Sequence, residues 1–140
     1  MDRWPEALRV AQVRVARPTD KLAEVVEFYS CLGLPQLYRF TGHAGYDGVM
    51  FGVPGAGHHL EFTSHGDGSP CPAPSADTLL VLYFDGPARM AAPVARLRAA
   101  GHEPVPLQNP YWAAQGALGF ADPDGWLVVL VPAPVSFRDG

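Results

Sequence analysis

The chain has 140 residues, of which 48% are hydrophobic, and its 14 acidic and 10 basic side chains give a formal net charge of −4. This length and hydrophobic content suffice for a domain with a proper core, which excludes a disordered or fibrous chain. No run of lysine or arginine could neutralise a phosphate backbone, so nucleic acid is not an expected partner. We expect a cytoplasmic protein without membrane contact, because the N-terminus lacks an apolar signal region and the longest strongly apolar run, residues 79–84, is too short to cross a bilayer.

The first half of the chain is predicted to form one strand, one helix and three further strands. Residues 8–16 alternate as a strand does, and a helix follows that Thr19 or Asp20 caps and Gly33 ends. Further strands are predicted near residues 36–40, 49–53 and 58–63, separated by glycine-rich turns. The order of this unit is βαβββ.

The second half repeats that order. A strand is predicted at residues 78–84, then a helix ending at Gly101, then strands near residues 103–107, 117–121 and 126–131. Pro93 removes a donor within this helix, so we expect the helix to begin late or to bend there.

An offset of 68 residues aligns the two halves, and several glycines coincide in it. The aligned pairs include Gly33 with Gly101, Gly48 with Gly116, Gly57 with Gly125, and Val53 with Ala121. We therefore predict an α+β fold of two tandem βαβββ modules, residues 1–63 and 78–140, joined by a linker at residues 64–77 within one compact domain.

Short motifs connect this repeat with a known superfamily. Phe28 and Tyr29 precede the Leu-Gly-Leu sequence of residues 32–34, and the Asp-Pro-Asp-Gly sequence of residues 122–125 precedes the last strand. Together with the tandem modules, these motifs resemble the vicinal oxygen chelate superfamily, which includes glyoxalases, extradiol dioxygenases and bleomycin-resistance proteins, and within it a group of small bacterial glyoxalase-like proteins. The resemblance implies a cup-shaped mixed sheet with the helices outside, and pairing as a homodimer.

The resemblance also implies where a metal centre would lie. In metal-dependent members, each module contributes a His or Gln from its first strand and a Glu from its last strand. The matching positions here are Arg14, Glu61, Leu82 and Val129, so one ligand of four is retained. Leu82 and Val129 have no lone pair, and the permanent charge of Arg14 would repel a cation beside Glu61. We therefore predict no metal and no cofactor, with an ion pair between Arg14 and Glu61 instead.

Strand alternation predicts which side chains share the cup. Gln12, Arg14, His59 and Glu61 would form a polar wall in the first module. The second module would supply an apolar wall, which comprises Leu80, Leu82, Phe84, Leu127 and Val129. His43 and the neighbouring aromatics Tyr111 and Trp112 lie in predicted loops that would cover the cup, or, for the aromatics, seal a partner subunit. A ligand with one polar end would suit such a site.

The leading hypothesis is a small-molecule-binding protein of the glyoxalase or bleomycin-resistance kind that has lost its metal site and binds an amphipathic ligand. The alternative is an enzyme, either a glyoxalase-type lyase or isomerase or a dioxygenase. It would use Glu61 as a catalytic base, or a divalent metal held by His43, His59 and Glu61. Arg14 argues against the metal-free base, because a neighbouring cation favours the ionised carboxylate and weakens it as a base. A third possibility is a partner-binding module whose cup is filled by its own side chains.

Overall fold

Each half of the chain forms its own mixed β-sheet with a helix packed against it. The computed structural model describes residues 4–52 and 57–137. The first module contains β1 (Val13–Pro18), α1 (Leu22–Leu32), β2 (Gln36–His43), β3 (Tyr46–Gly52) and β4 (His58–His65). The second module contains β5 (Leu79–Tyr83), α2 (Pro87–Ala99), α3 (Pro110–Ala114), β6 (Leu118–Ala121) and β7 (Leu127–Val131). No helix in these described ranges is both long enough and apolar enough to span a bilayer.

The two sheets have related topologies. The first has the strand order β1-β4-β3-β2, and the second has the order β5-β7-β6. In each sheet the first strand of the module lies parallel to the last strand, and the other neighbouring strands are antiparallel. These findings confirm the predicted α+β class and the repeat of two modules. The predicted match of Val53 with Ala121 lies outside the described residues.

Helix α1 shows how local sequence sets the boundaries of an element. Its buried residues Val25, Phe28, Tyr29 and Leu32 recur at three- and four-residue spacing, which places them on one face. Gly33 ends the helix as predicted, with φ at 113°, a left-handed conformation in which its N–H reaches the carbonyls of the last turn. The N-cap of α1 differs from the prediction of Thr19 or Asp20. Thr19 accepts from the backbone N–H of Lys21, which itself occupies the cap position, and Asp20 accepts from Ser69.

One apolar core joins the two modules. It contains Phe28 of α1, Phe51 of the first sheet, Leu97 of α2, and Phe120 and Leu130 of the second sheet, all fully buried or nearly so. Because both helices and both sheets contribute to this cluster, neither module could lose its partner without exposing a large apolar surface.

A buried polar cluster also ties the modules together. One carboxylate oxygen of Asp122 accepts from Arg17 Nη2 and from the Tyr29 hydroxyl, each at 2.8 Å. The other oxygen accepts from the backbone N–H groups of Asp124 and Trp126. Burial, and then the negative charge of Asp122, raise the pKa of the Tyr29 hydroxyl well above its ordinary value. The Asp-Pro-Asp-Gly turn therefore anchors the second module to the first strand and first helix.

The second module departs from the sequence prediction at residues 103–107. This segment makes a single β-bridge, from Val105 to Gly119, and is not a strand. Pro104 and Pro106 flank Val105 and have no N–H, so the segment cannot continue a ladder of donors. The Val105 N–H alone donates to Gly119 O, at 2.8 Å.

Helices in the second module also differ from expectation. Helix α2 starts at Pro87 and continues through Pro93 to Ala99, so the expected late start is wrong. Pro87 lies at the first turn, where a missing N–H costs nothing. Tyr111 and Trp112 lie in the short helix α3 and not in a loop, because Pro110 starts a turn that the Asn109 side chain caps.

Candidate functional site

The predicted polar residues of the first module meet on one face of the first sheet. In the parallel pairing of β1 with β4, Arg14 lies opposite His59, and Ala16 lies opposite Glu61. Side chains two apart along a strand share a face, so Arg14, His59 and Glu61 all point to the side away from α1. We call this side the cup face. Gln12 is exposed and precedes β1, which begins at Val13 and not at the predicted residue 8.

Arg14 contacts each of its neighbours through a different nitrogen. Its Nη1 lies 3.5 Å from Glu61 Oε1, its Nε donates to His59 Nε2 at 2.9 Å, and its Nη2 lies 3.4 Å from Met50 Sδ. The predicted ion pair is therefore present. The Arg14 side chain is 43% exposed and that of Glu61 is 13% exposed, so the pair is partly open to water. Such a pair contributes little to stability but leaves guanidinium donors within reach of a ligand.

The cluster does not fit the metal centre that the superfamily resemblance would imply. His59 Nε2 accepts a hydrogen bond from Arg14 Nε, so the lone pair of this nitrogen is not free for a metal. The Arg14 charge lies beside Glu61, where a cation would have to bind. Across residues 4–52 and 57–137, no three His, Cys, Asp or Glu side chains are grouped to hold a metal ion. The alternative His43, His59 and Glu61 set is therefore not assembled.

His43 lies at the end of β2, opposite Tyr46 in the β2–β3 hairpin, and is exposed. Its ring meets the edge of the Phe40 ring, with 6.2 Å between the centroids. The structure therefore associates His43 with the hairpin and with Phe40, and places it apart from the contacts of Arg14.

An apolar shelf, which the sequence analysis missed, lies beside the polar cluster. It consists of Tyr38, Phe40 and Met50. Met50 lies opposite Glu61 on β3, and Tyr38 lies opposite Met50 on β2, so all three side chains share the cup face. A side chain at Gly48 would collide with the Phe40 ring, so this glycine lets the ring lie flat across the sheet. The period of two along β2 and β3 could have identified the shelf.

The side chains of β5 that were predicted to form the apolar wall point to the opposite face of the sheet. Val81 lies opposite Val129, whereas Leu82 lies opposite Leu130 and packs into the core with the helices. The prediction that Leu82 lines the cup is therefore wrong, and the same correction applies to Leu80 and Phe84. The 68-residue offset holds in β7 but not in β5, and a shift by an odd number of residues moves every side chain of a strand to the other face.

Val129 points to the predicted face but is covered by the chain itself. It is fully buried, and Leu107 and Trp112 pack against its cluster. The Leu107 side chain packs over Gly119 as the Phe40 ring packs over Gly48, so the two modules repeat this packing. Tyr111, next to the half-buried Trp112, is 48% exposed. The second sheet therefore offers a filled face, and the open polar site belongs to the first sheet.

Comparisons with known proteins agree with this architecture. Residues 13–63 match the YycE-like N-terminal domain, and residues 77–132 match the YycE-like C-terminal domain. The chain belongs to the YycE-like family. A YycE-like relative, the uncharacterized protein YycE of Bacillus subtilis (strain 168), is 44% identical over 126 residues, which is 89% of this chain and 90% of the relative. A crystal structure of B. subtilis YycE, for which a glyoxalase or fosfomycin-resistance role has been suggested, superposes with a TM-score of 0.88 at 40% identity and covers 98% of this chain and 99% of that chain.

More distant structures share the fold of this YycE-like protein. A glyoxylase/bleomycin resistance protein/dioxygenase domain from Frankia sp. EAN1pec has a TM-score of 0.64 at 17% identity, covering 86% of this chain and 95% of that chain. TnmS3, an antibiotic binding protein from Streptomyces sp. CB03234, has a TM-score of 0.62 at 22% identity, covering 92% and 100%. These likenesses show the fold alone. The resemblance to the vicinal oxygen chelate superfamily is confirmed by the YycE-like family match together with the structure of B. subtilis YycE.

Proposed function

We propose that this YycE-like protein binds an amphipathic small molecule on the cup face of its first sheet, without a catalytic metal. One observation carries the proposal. Arg14 stands where the superfamily resemblance places a metal-ligating histidine, and its guanidinium contacts both remaining candidate donors, His59 and Glu61. The cluster is thus arranged to recognise a polar group of a ligand by hydrogen bonds.

The contacts of Arg14 indicate how a ligand would be held. The contact of Arg14 Nη2 with Met50 Sδ, at 3.4 Å, uses a weak sulfur acceptor. A ligand carboxylate, phosphonate or hydroxyl oxygen is a stronger acceptor and would replace the sulfur with a net gain. Glu61 would accept from a ligand hydroxyl or amine. The apolar part of the ligand would lie on the shelf of Tyr38, Phe40 and Met50.

The open cup face also supports a homodimer as part of the proposal. Tyr38 is 60% exposed, and a ligand lying on it in a single chain would keep one side in water. A second subunit packed over the first sheet would bury both the Tyr38 side chain and the ligand. The relatives named above include an antibiotic binding protein and a suggested fosfomycin-resistance protein. We therefore propose sequestration of a toxic small molecule in the cytoplasm as the use of the site.

Binding can be tested by thermal shift and calorimetric titration against a library of natural-product antibiotics that includes fosfomycin and bleomycin. We expect at least one compound to bind, and Arg14→Gln to weaken its binding by about tenfold, the usual worth of a charge-assisted contact. Arg39→Gln is the matched control, since Arg39 is also exposed but lies opposite Val49 on the other face of β2. A flat library, or equal effects of the two variants, would refute the proposal and favour a partner-binding module.

Metal analysis separates this function from the enzymatic alternative. We expect the purified protein to contain no stoichiometric divalent metal. About one divalent ion per subunit, abolished by Glu61→Ala, would contradict the proposal. Turnover of a glyoxalase or dioxygenase substrate that Glu61→Gln abolishes would establish an enzyme. Restoration by nickel, zinc or iron after chelation would then identify a metal-dependent reaction.

A further inference from the structure

A second cleft lies between the end of helix α1, strand β5 and helix α2. Its volume is about 710 Å³, which is within the range of small-molecule sites. Arg14 and Glu61, the ion pair of the cup face, are not among its lining residues. We call it the helix cleft, and the residues that matter for its chemistry are Leu34, Val81, Arg89, Pro93 and Arg96.

Basic side chains line the helix cleft without acidic ones. Arg89 and Arg96 are separated by about two turns of α2, so they lie on the same face of the helix. His58 lines the cleft from the first module, and Asp85, which follows the lining residue Phe84, is exposed and outside the lining. No Asp or Glu is among the described lining residues, although acidic side chains outnumber basic ones, 14 to 10, in the whole chain. The cleft should therefore attract anions.

The two arginines still have donors available for a ligand. Arg89 makes no ion pair and no side-chain hydrogen bond with the residues that the structure describes. Arg96 donates through Nε to the carbonyl oxygen of Cys31 and through Nη2 to that of Leu32, each at 3.0 Å, which leaves its Nη1. The end of α1 thus holds the Arg96 guanidinium in place at the cleft.

The backbone of β5 adds donors at the same cleft. In a parallel pair, the N–H and C=O groups of every second residue bond to the neighbouring strand. The N–H of Phe84, directly after β5, donates to Val131 O at 2.8 Å, so the backbone groups of Leu82 and Phe84 face β7. The N–H groups of Val81 and Tyr83 therefore point to the open edge of β5, and both residues line the helix cleft.

We propose that the helix cleft is a second binding site, which takes an organic anion with a carboxylate, sulfonate or phosphate group and an apolar body. The acidic group would accept from Arg89, with Nη1 of Arg96 and the edge N–H groups of β5 as further donors. Leu34, Val81 and Pro93 would pack against the apolar body. An uncharged molecule would lose the charge-assisted bond to Arg89, and a cation would be repelled. This site does not depend on the function proposed for the cup face.

The probes for this site are 8-anilinonaphthalene-1-sulfonate and N-phenyl-1-naphthylamine, which share an aromatic body and differ in the sulfonate group. Both become more fluorescent in an apolar environment, so titration of the native protein gives their affinities. We expect saturable binding of the sulfonate, tighter than that of the uncharged amine by about tenfold or more.

Substitutions of Arg89 test the charge contact. Arg89→Gln should weaken sulfonate binding by about tenfold, whereas Arg89→Lys, which keeps the charge, should weaken it by less than about threefold. Arg98→Gln is the matched control, because Arg98 lies on the same helix, is exposed, and does not line the cleft. It should leave binding within about twofold of wild type.

A pair of neighbouring alanines tests the location of the site. Ala91 and Ala92 are both exposed in α2, but only Ala92 lines the cleft. Ala92→Trp should weaken sulfonate binding by about tenfold or more, because the indole would occupy the cleft. Ala91→Trp places the same side chain on the same helix outside the cleft, and should leave binding within about twofold of wild type.

Four results would overturn the proposal: no saturable sulfonate binding, equal affinity for the two probes, equal losses with Ala91→Trp and Ala92→Trp, or equal losses with Arg89→Gln and Arg98→Gln. Sulfonate binding that Arg14→Gln abolishes and Arg89→Gln does not would assign the probe to the cup face, and would also overturn the proposal. Because Arg14→Gln is the variant that tests the cup face, failure of one site is distinguishable from failure of the other.

Discussion

Replacing Asp122 by asparagine tests whether the buried polar cluster holds the modules together. The carboxylate has no exposed surface and uses both oxygens, one for Arg17 and Tyr29 and the other for two backbone N–H groups. An asparagine has a single oxygen, so its NH₂ group must face one of these two pairs of donors. The change keeps the shape of the side chain but removes its charge and half of its accepting capacity.

The size of the effect follows from what Arg17 retains. Removing one partner of a buried ion pair costs about 3–5 kcal/mol. In the variant, Arg17 would still lie between the rings of Phe62 and Trp126 and would keep the second carboxylate, Asp124, at 3.7 Å. We therefore expect a loss at the lower end, about 3 kcal/mol, from a total stability that for such domains is about 5–15 kcal/mol.

Urea unfolding followed by circular dichroism and tryptophan fluorescence measures this loss. With a slope of about 2 kcal/mol per molar urea, the midpoint should fall by about 1.5 M while the slope stays unchanged. The control is Glu103→Gln, whose partner Arg98 is 3.8 Å away in a pair with both side chains more than half exposed. That variant should remain within about 0.5 kcal/mol of wild type. If the two variants shift the midpoint equally, the cluster does not hold the modules together.

Three further predictions concern single residues. Because the folded-state pKa of Tyr29 is raised, its stabilising contribution should be complete below about pH 10 and decline above it. Tyr29→Phe, measured by denaturation across this range, should therefore lose less stability than wild type as the pH rises. An identical decline in the two proteins would contradict the raised pKa of Tyr29. Gly48→Ala should cost about 1–3 kcal/mol by pushing on the Phe40 ring, whereas Gly66→Ala, with its nearest atom 4.0 Å away, should be almost neutral in the same urea assay. Arg14→Met should change the free energy of unfolding by less than about 1 kcal/mol, since the Arg14 side chain is 43% exposed, and a larger loss would make Arg14 a structural residue.

Local features of the sequence were sufficient to predict the repeat, and the superfamily resemblance together with strand alternation identified the polar site. The helix end at Gly33 follows from the left-handed conformation that glycine adopts easily. Arg14, His59 and Glu61 share a face because alternation within β1 and within β4 is uninterrupted and the two strands are direct neighbours. The shelf of Tyr38, Phe40 and Met50 obeys the same rule and was within reach of the sequence.

The tertiary structure alone decided the second wall and the link between modules. The face on which Leu82 lies depends on the register between β5 and β7. Hydrogen bonding across the sheet sets this register, and an offset counted along the chain does not reproduce it. Arg17 meets Asp122 across 105 positions of sequence, and neither residue carries a local signal of the other. Trp112 packs against the cluster that contains Val129 because a short helix places it there. Conformational preferences act over a few residues, whereas register and burial depend on segments that meet only after folding.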